Sequence, residues 1–184
     1  MKFTPQKITD VILIEPKVHN DGRGYFMETF RYDLLEEVLD RKINFVQDSE
    51  SRSTKGVLRG LHFQLPPYSQ SKLVRVVEGS VLDVAVDVRR ASPTFGQYVA
   101  VELTAENKHQ LFVPHGFAHG FVVLSDSAIF SYKVDNYYSP EHERGIAFDD
   151  RSLAIPWQLS SEQLQVSVKD KNHPTLLNSI DLFE

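Results

Sequence analysis

SVLDVAVDVR, residues 80–89, alternates cleanly between apolar and polar positions. Leu82, Val84, Val86 and Val88 fall on one face; Asp83, Asp87 and Arg89 fall on the other. A period of two with aliphatic residues on one side predicts a half-buried antiparallel strand. The flanking segments have the same character: KLVRVVEG (72–79) before it, and QYVAVELT (97–104) after the loop ASPTFG. Further out lie VILIEP (11–16), GYFMETF (24–30), NFVQDSES (44–51), VLRGLHFQ (57–64), HQLFVP (109–114), HGFVVLS (119–125) and AIFSYKVD (128–135). HNDGRG separates the first two of these as a turn signal. Helical spacing is confined to Arg31–Arg41, where Leu34, Leu35, Val38 and Leu39 would share one face. Ten short strands with Gly or Pro at the turns predict an all-β sandwich or jelly roll with a few short helices.

With 184 residues, no repeat and no linker, residues 1–184 are expected to form one domain. Twenty basic against 25 acidic side chains give a net charge of −5, without the basic imprint of general nucleic-acid binding. No cysteine is present, which excludes disulfides and thiolate metal sites. No apolar run reaches the roughly 18 residues of a membrane span. MKFTPQKITDVILIEPK has too short an apolar stretch for a secretory signal, so a cytoplasmic protein is expected. From Ser160 the pattern loosens. SSEQ reads as a short helix start, and QVSVKDKNHP as an extended segment with Lys169 and Asp170 near its end.

Two segments carry polar groups into apolar surroundings. GVLRGLHFQ (56–64) holds Arg59, His62 and Gln64, and VPHGFAHGF (113–121) holds His119. A single strand histidine is ordinarily a structural hydrogen-bonding residue. Arg59, Gln64 and Lys72, on strands expected to be adjacent, add more polar groups than an apolar wall needs, which points to a shared cavity. His62 and His119 could also ligate a metal. The position two after His62 is Gln64 rather than a second histidine, however, and a metal needs three or four ligands. Tyr132 shares a face with Ala128, Phe130 and Val134, as either a core tyrosine or an inward proton donor. Arg23, Phe26 and Glu28 read as a solvated loop entering a strand. Tyr137 and Tyr138 read as a loop anchor or a stacking platform.

Taken in order, DGRGYFMETF, FVQDS, GVLRGLHFQ, QSKLVRVVEGSVLDVAVDVR, PHGFAHGF, YKVDNYYSPEHERGI, LAIPW and SVKDKNHP resemble the dTDP-4-dehydrorhamnose 3,5-epimerase family. The resemblance runs from about Asp21 to Pro174. It implies a cupin-type jelly-roll barrel that works as a homodimer without metal or organic cofactor. The implied substrate is a dTDP-4-keto-6-deoxy sugar, epimerised at C3 and C5 on the way to dTDP-L-rhamnose.

By motif, His62 matches the family's base, Tyr132 its acid and Asp170 the carboxylate paired with the base. Lys72 and His119 match residues beside the sugar. Gln47, Arg59, Glu143 and Lys169 match ligand contacts, and Tyr138 matches the aromatic that stacks on thymine. Arg23, Phe26 and Glu28 resemble residues that reach the nucleotide from a partner subunit. Ser49 departs from the family's usual Asn, so one nucleotide contact is expected to be weaker or rebuilt. Three alternatives share the fold: a C3-only epimerase or 3,4-ketoisomerase, a non-catalytic nucleotide-sugar binder, and a metal-dependent oxygenase, which Gln64 disfavours.

Overall fold

The computed structural model describes residues 1–184. One sheet is ordered β1-β2-β10-β7-β12-β5, using β1 (Lys2–Pro5), β2 (Ile12–Glu15), β10 (Gln110–Val113), β7 (Lys72–Glu78), β12 (Ser127–Val134) and β5 (Gln47–Thr54). The facing sheet is ordered β13-β6-β11-β8-β9, from β13 (Glu143–Gly145), β6 (Val57–Gln64), β11 (Phe117–Val123), β8 (Ser80–Asp87) and β9 (Tyr98–Thr104). β14 (Gln165–Val166) adds to β6 in parallel, and β3 (Val18–Asp21) pairs with β4 (Gly24–Met27) as a separate hairpin. All ten expected strands are present, β6 with the expected ends and the others with shifted ones. β1, β3 and β13 were not anticipated, being too short to establish a period, whereas β14 opens the segment QVSVKDKNHP that was read as extended.

Between the sheets the inward side chains close one end of a jelly-roll barrel. Val74, Val76, Leu111, Val113 and Phe130 from one sheet meet Val81, Ala85, Phe121 and Val123 from the other. Phe121 and Phe130 stack across the gap with ring centroids 4.1 Å apart, a contact worth about 0.5–1.5 kcal/mol beyond burial. β6 and β7 belong to opposite sheets, so Arg59 and Lys72 do not sit on adjacent strands as expected. The chain crosses between layers from β6 to β7 and again from β7 to β8.

β8 corrects the half-buried reading. Its Leu82, Val84, Val86 and Val88 face outward, not into the barrel, and are covered by Ile146, Leu153, Trp157, Leu176 and Leu182 of the C-terminal segment. The opposite face carries Asp83 and Asp87, both fully buried. Burial of Asp87 is compensated by hydrogen bonds from Arg89, Ser92 and Thr94. Alternation gave the two faces correctly, but not what would cover them.

α1 (Tyr32–Leu39) packs Leu35 against Ile12, Ile14, Leu73 and Phe112 on the outside of the first sheet. Val38, expected on that face, is 40% exposed because the contact stripe is narrower than the periodicity suggested. The helix ends at Asp40, whose φ of 49° lies in the left-handed region. No helix is long and apolar enough to cross a membrane.

Candidate active site

The open end of the barrel holds a cavity of about 510 Å³, lined by His62, Lys72, His119, Tyr132, Arg59, Lys169 and Asp170 among others. Strand register sets who faces whom. His62 on β6 lies directly opposite His119 on β11, so both imidazoles leave the same face of one sheet. Lys72 on β7 lies opposite Val134 on β12, which places Lys72 and Tyr132 on one face of the other sheet. The two sets therefore enter the cavity from opposite walls. Glycine at β6–β11 permits the close crossing: a Cβ on Gly60, at φ 133°, would stand 2.6 Å from Gly120 Cα.

Each imidazole has its own carboxylate. His62 Nε2 lies 2.7 Å from Asp170 Oδ1, and His119 Nε2 lies 3.0 and 2.9 Å from the two oxygens of Asp83. Burial pushes the Asp170 carboxyl up, but the hydrogen bond and charge of His62 outweigh it, with help from Gly60 and Ser167, and the net shift is downward. Asp170 is held by α2 (Val168–Lys171), where its backbone N–H donates to Ser167 Oγ at 3.0 Å. Lys169 and Asp170 thus sit on a helical turn, not on the extended segment read from sequence. The Ser167-x-x-Asp170 capping pattern was the available signal for it.

Lys72 is a cavity cation strongly altered by its surroundings. Burial pushes its ammonium down to about 8, while Asp83 and Glu143 pull the other way. An ammonium desolvated by its surroundings is suited to stabilising a developing oxyanion.

Of the remaining expected ligand contacts Lys169 lines the cavity, while Gln47, Ser49, Tyr138 and Glu143 stand outside its lining as a rim linked to it through Lys169. Tyr138 Oη donates to Glu143 Oε2 at 2.7 Å, and Lys169 pairs with the same oxygen. The Tyr138 backbone N–H reaches Gln47 Oε1 at 3.4 Å, and Gln47 Nε2 donates to Ser49 Oγ at 3.1 Å. Burial raises the Glu143 pKa, yet Lys169, Tyr138 and His62 outweigh that and hold it below the ordinary range. Ser49 therefore takes a place in the rim by bonding its neighbour.

Gln64, expected in the cavity, does not line it. It is buried behind the rim, donating to the carbonyls of Tyr68 and Tyr137 and accepting from Ser139 N–H. Its role is to fix the loop that presents Tyr138. Arg23, Phe26 and Glu28 lie away from the cavity on or next to the β3–β4 hairpin, where Arg23 pairs with Asp21 and Phe26 is 68% exposed. Two acidic groups were missed. Asp83 was assigned to a polar strand face with no local sign of its histidine partner, and Glu50 lines the cavity unassigned.

The model of the dTDP-4-dehydrorhamnose 3,5-epimerase family matches residues 5–178. The dTDP-4-dehydrorhamnose 3,5-epimerase of Shigella flexneri is 56% identical over 172 residues, covering 94% of each chain. That of Escherichia coli (strain K12) is 52% identical over 176 residues, 96% of this chain and 95% of its own. The crystal structure of dTDP-6-deoxy-D-glucose-3,5-epimerase from Legionella pneumophila Philadelphia 1, in complex with dTDP-4-keto-L-rhamnose, superposes with a TM-score of 0.93 at 50% identity. That match covers 98% of this chain and 94% of the other. With the barrel, the cavity and its two walls of polar groups, these likenesses place the chain in the dTDP-4-dehydrorhamnose 3,5-epimerase family.

Proposed function

We propose that the protein epimerises C3 and C5 of dTDP-4-dehydro-6-deoxy-D-glucose, yielding dTDP-4-dehydro-L-rhamnose for dTDP-L-rhamnose synthesis. The observation that carries this reading is the entry of His62 and Tyr132 into one cavity from opposite sheets. Inversion at carbon needs a proton taken on one face and returned on the other, which two groups on one wall cannot do.

With Asp170 ionised, the His62 ring proton sits on Nε2 and leaves the Nδ1 lone pair free to act as base. Hydrogens at C3 and C5 are acidified because each carbon neighbours the C4 ketone, whose oxygen takes the charge. The Lys72 ammonium stabilises that enolate oxygen, and Tyr132 returns a proton from the opposite side. His119, fixed by Asp83, orients the sugar, and Arg59 suits the diphosphate as a forked donor.

Tyr138, Glu143, Lys169, Gln47 and Ser49 form the nucleotide rim, with Tyr138 stacking on thymine. The exposed hairpin bearing Arg23 and Phe26, with Glu28 just beyond it, is suited to a second copy's cavity, which supports a homodimer in which each subunit completes its partner's site. Residues 1–184 act as one nucleotide-sugar epimerase domain.

His62→Ala tests the assignment. Turnover should vanish while dTDP affinity and thermal stability stay near wild type, because the base acts in the transition state. Retention of a tenth or more of wild-type activity would remove His62 from the role.

A further inference from the structure

His173 is a mostly buried group that the proposed reaction leaves unused. It lies just beyond α2 with its ring seated over Gly145, where any Cβ would overlap the imidazole. The ring stands edge-on to His62, with centroids 5.6 Å apart and planes at 79°. Its Nε2 is buried without a hydrogen-bond partner. The nearest carboxylate oxygen, Asp170 Oδ1, is 3.6 Å away, beyond hydrogen-bond range. A buried unpaired nitrogen costs free energy, and His173 does not line the cavity, so a sugar does not account for it.

The geometry points to a cation: we propose that His62 Nε2, Asp170 Oδ1 and His173 Nε2 form a site for a borderline divalent ion such as Zn²⁺, whose binding switches off the base. These ligand atoms lie within 4.8 Å of one another. Two imidazoles and one carboxylate, with a fourth position open to water, suit Zn²⁺ and disfavour Mg²⁺. Bonds of about 2.0–2.2 Å around a tetrahedral ion put neighbouring ligand atoms roughly 3.3 Å apart. The separations of 2.7 and 3.6 Å to Asp170 Oδ1 bracket that value.

Inhibition follows from the tautomer. A metal on Nε2 uses that nitrogen's lone pair, so the single proton of neutral His62 moves to Nδ1 and none is lost. Nδ1 then carries a hydrogen and cannot accept one from carbon. The cavity stays open, so kcat should fall while KM holds. This inhibition rests on the epimerase reading; metal binding does not.

Co²⁺, whose visible absorption reports four-coordinate ligation, is titrated into metal-free protein. The band is expected in wild type and absent in His173→Asn. Micromolar Zn²⁺ should lower kcat without changing KM, chelator should restore it, and millimolar Mg²⁺ should have no effect. His173→Asn should turn over normally without metal and need at least about tenfold more Zn²⁺ for the same loss. His173→Phe, which keeps a ring over Gly145, is the second variant and should behave alike. An identical Co²⁺ band in wild type and both variants overturns the site. A rise in KM alone puts the ion on the substrate diphosphate and overturns the switch, as does His173-dependent binding without loss of kcat. Co²⁺ binding in a protein that fails to epimerise would instead count against the enzymatic reading alone.

Discussion

Asp170 and His62 are 108 residues apart in the chain and 2.7 Å apart in the fold. The contact depends on the C-terminal segment returning over the second sheet, where β14 pairs with β6 and α2 then turns Asp170 towards it. Asp170→Asn offers an amide that can face His62 Nε2 with its NH₂ group and so stabilise the wrong tautomer. A kcat loss on the order of 10³–10⁴-fold is expected, with the product unchanged. Steady-state rates with product NMR check this; a loss below tenfold would mean that Asp170 only packs.

Lys72 should give the pH profile its alkaline limb. The ammonium is the active form, and burial lowers its pKa from 10.5 to about 8. Activity is therefore expected to fall as pH rises through about 8. Stability moves the opposite way. Between about 8 and 10.5 the unfolded chain binds the extra proton, so the folding free energy contributed by this site improves with pH. Lys72→Met should remove the limb and cost about 3–4 kcal/mol of barrier, at both carbons alike. Slowing at one carbon only would show that Lys72 serves something other than the shared enolate oxygen.

Tyr132→Phe should separate exchange from inversion. His62 still removes carbon-bound hydrogen, so solvent deuterium enters the sugar. Inverted product should fall much further, because no phenol remains on the opposite wall. The ring that packs beside Phe130 survives in Phe. Equal losses of both, read by NMR on one sample, would make Tyr132 a core residue.

Asp83→Ala removes a fully buried carboxylate that holds His119 through two contacts. A destabilisation of about 2–4 kcal/mol is expected from the unpaired imidazole left behind. Thermal unfolding should show it as a Tm lower by several degrees. Asp83→Asn keeps an acceptor oxygen and should lose less; a wild-type Tm in both would mean that the pair contributes nothing to stability.

The strands were legible because period-two alternation is local, and SVLDVAVDVR displays it over ten residues. What lay against each face was not. Leu82, Val84 and Val86 are covered by residues from 146 onwards, and no short-range pattern announces that contact. The same holds at the site. His62, Tyr132 and Lys72 stand out as polar or phenolic groups in apolar runs, and the structure brings all three to one cavity. Gln64 stood out equally and proved to be a loop anchor, because both roles bury a polar side chain. Asp83 gave no local signal because its histidine partner is 36 residues away, and His173 gave none because the ring it meets, that of His62, lies on a distant strand.

Two inversions by one base and one acid on facing walls require that both carbons exchange their hydrogen with solvent, which heavy water reveals. The purified protein is incubated with dTDP-4-dehydro-6-deoxy-D-glucose, and the C3 and C5 proton signals are followed by NMR. Deuterium is expected at both carbons, with inversion at both. Exchange confined to C3 would make the protein a single-site epimerase, and exchange at neither carbon would contradict the enzymatic reading altogether.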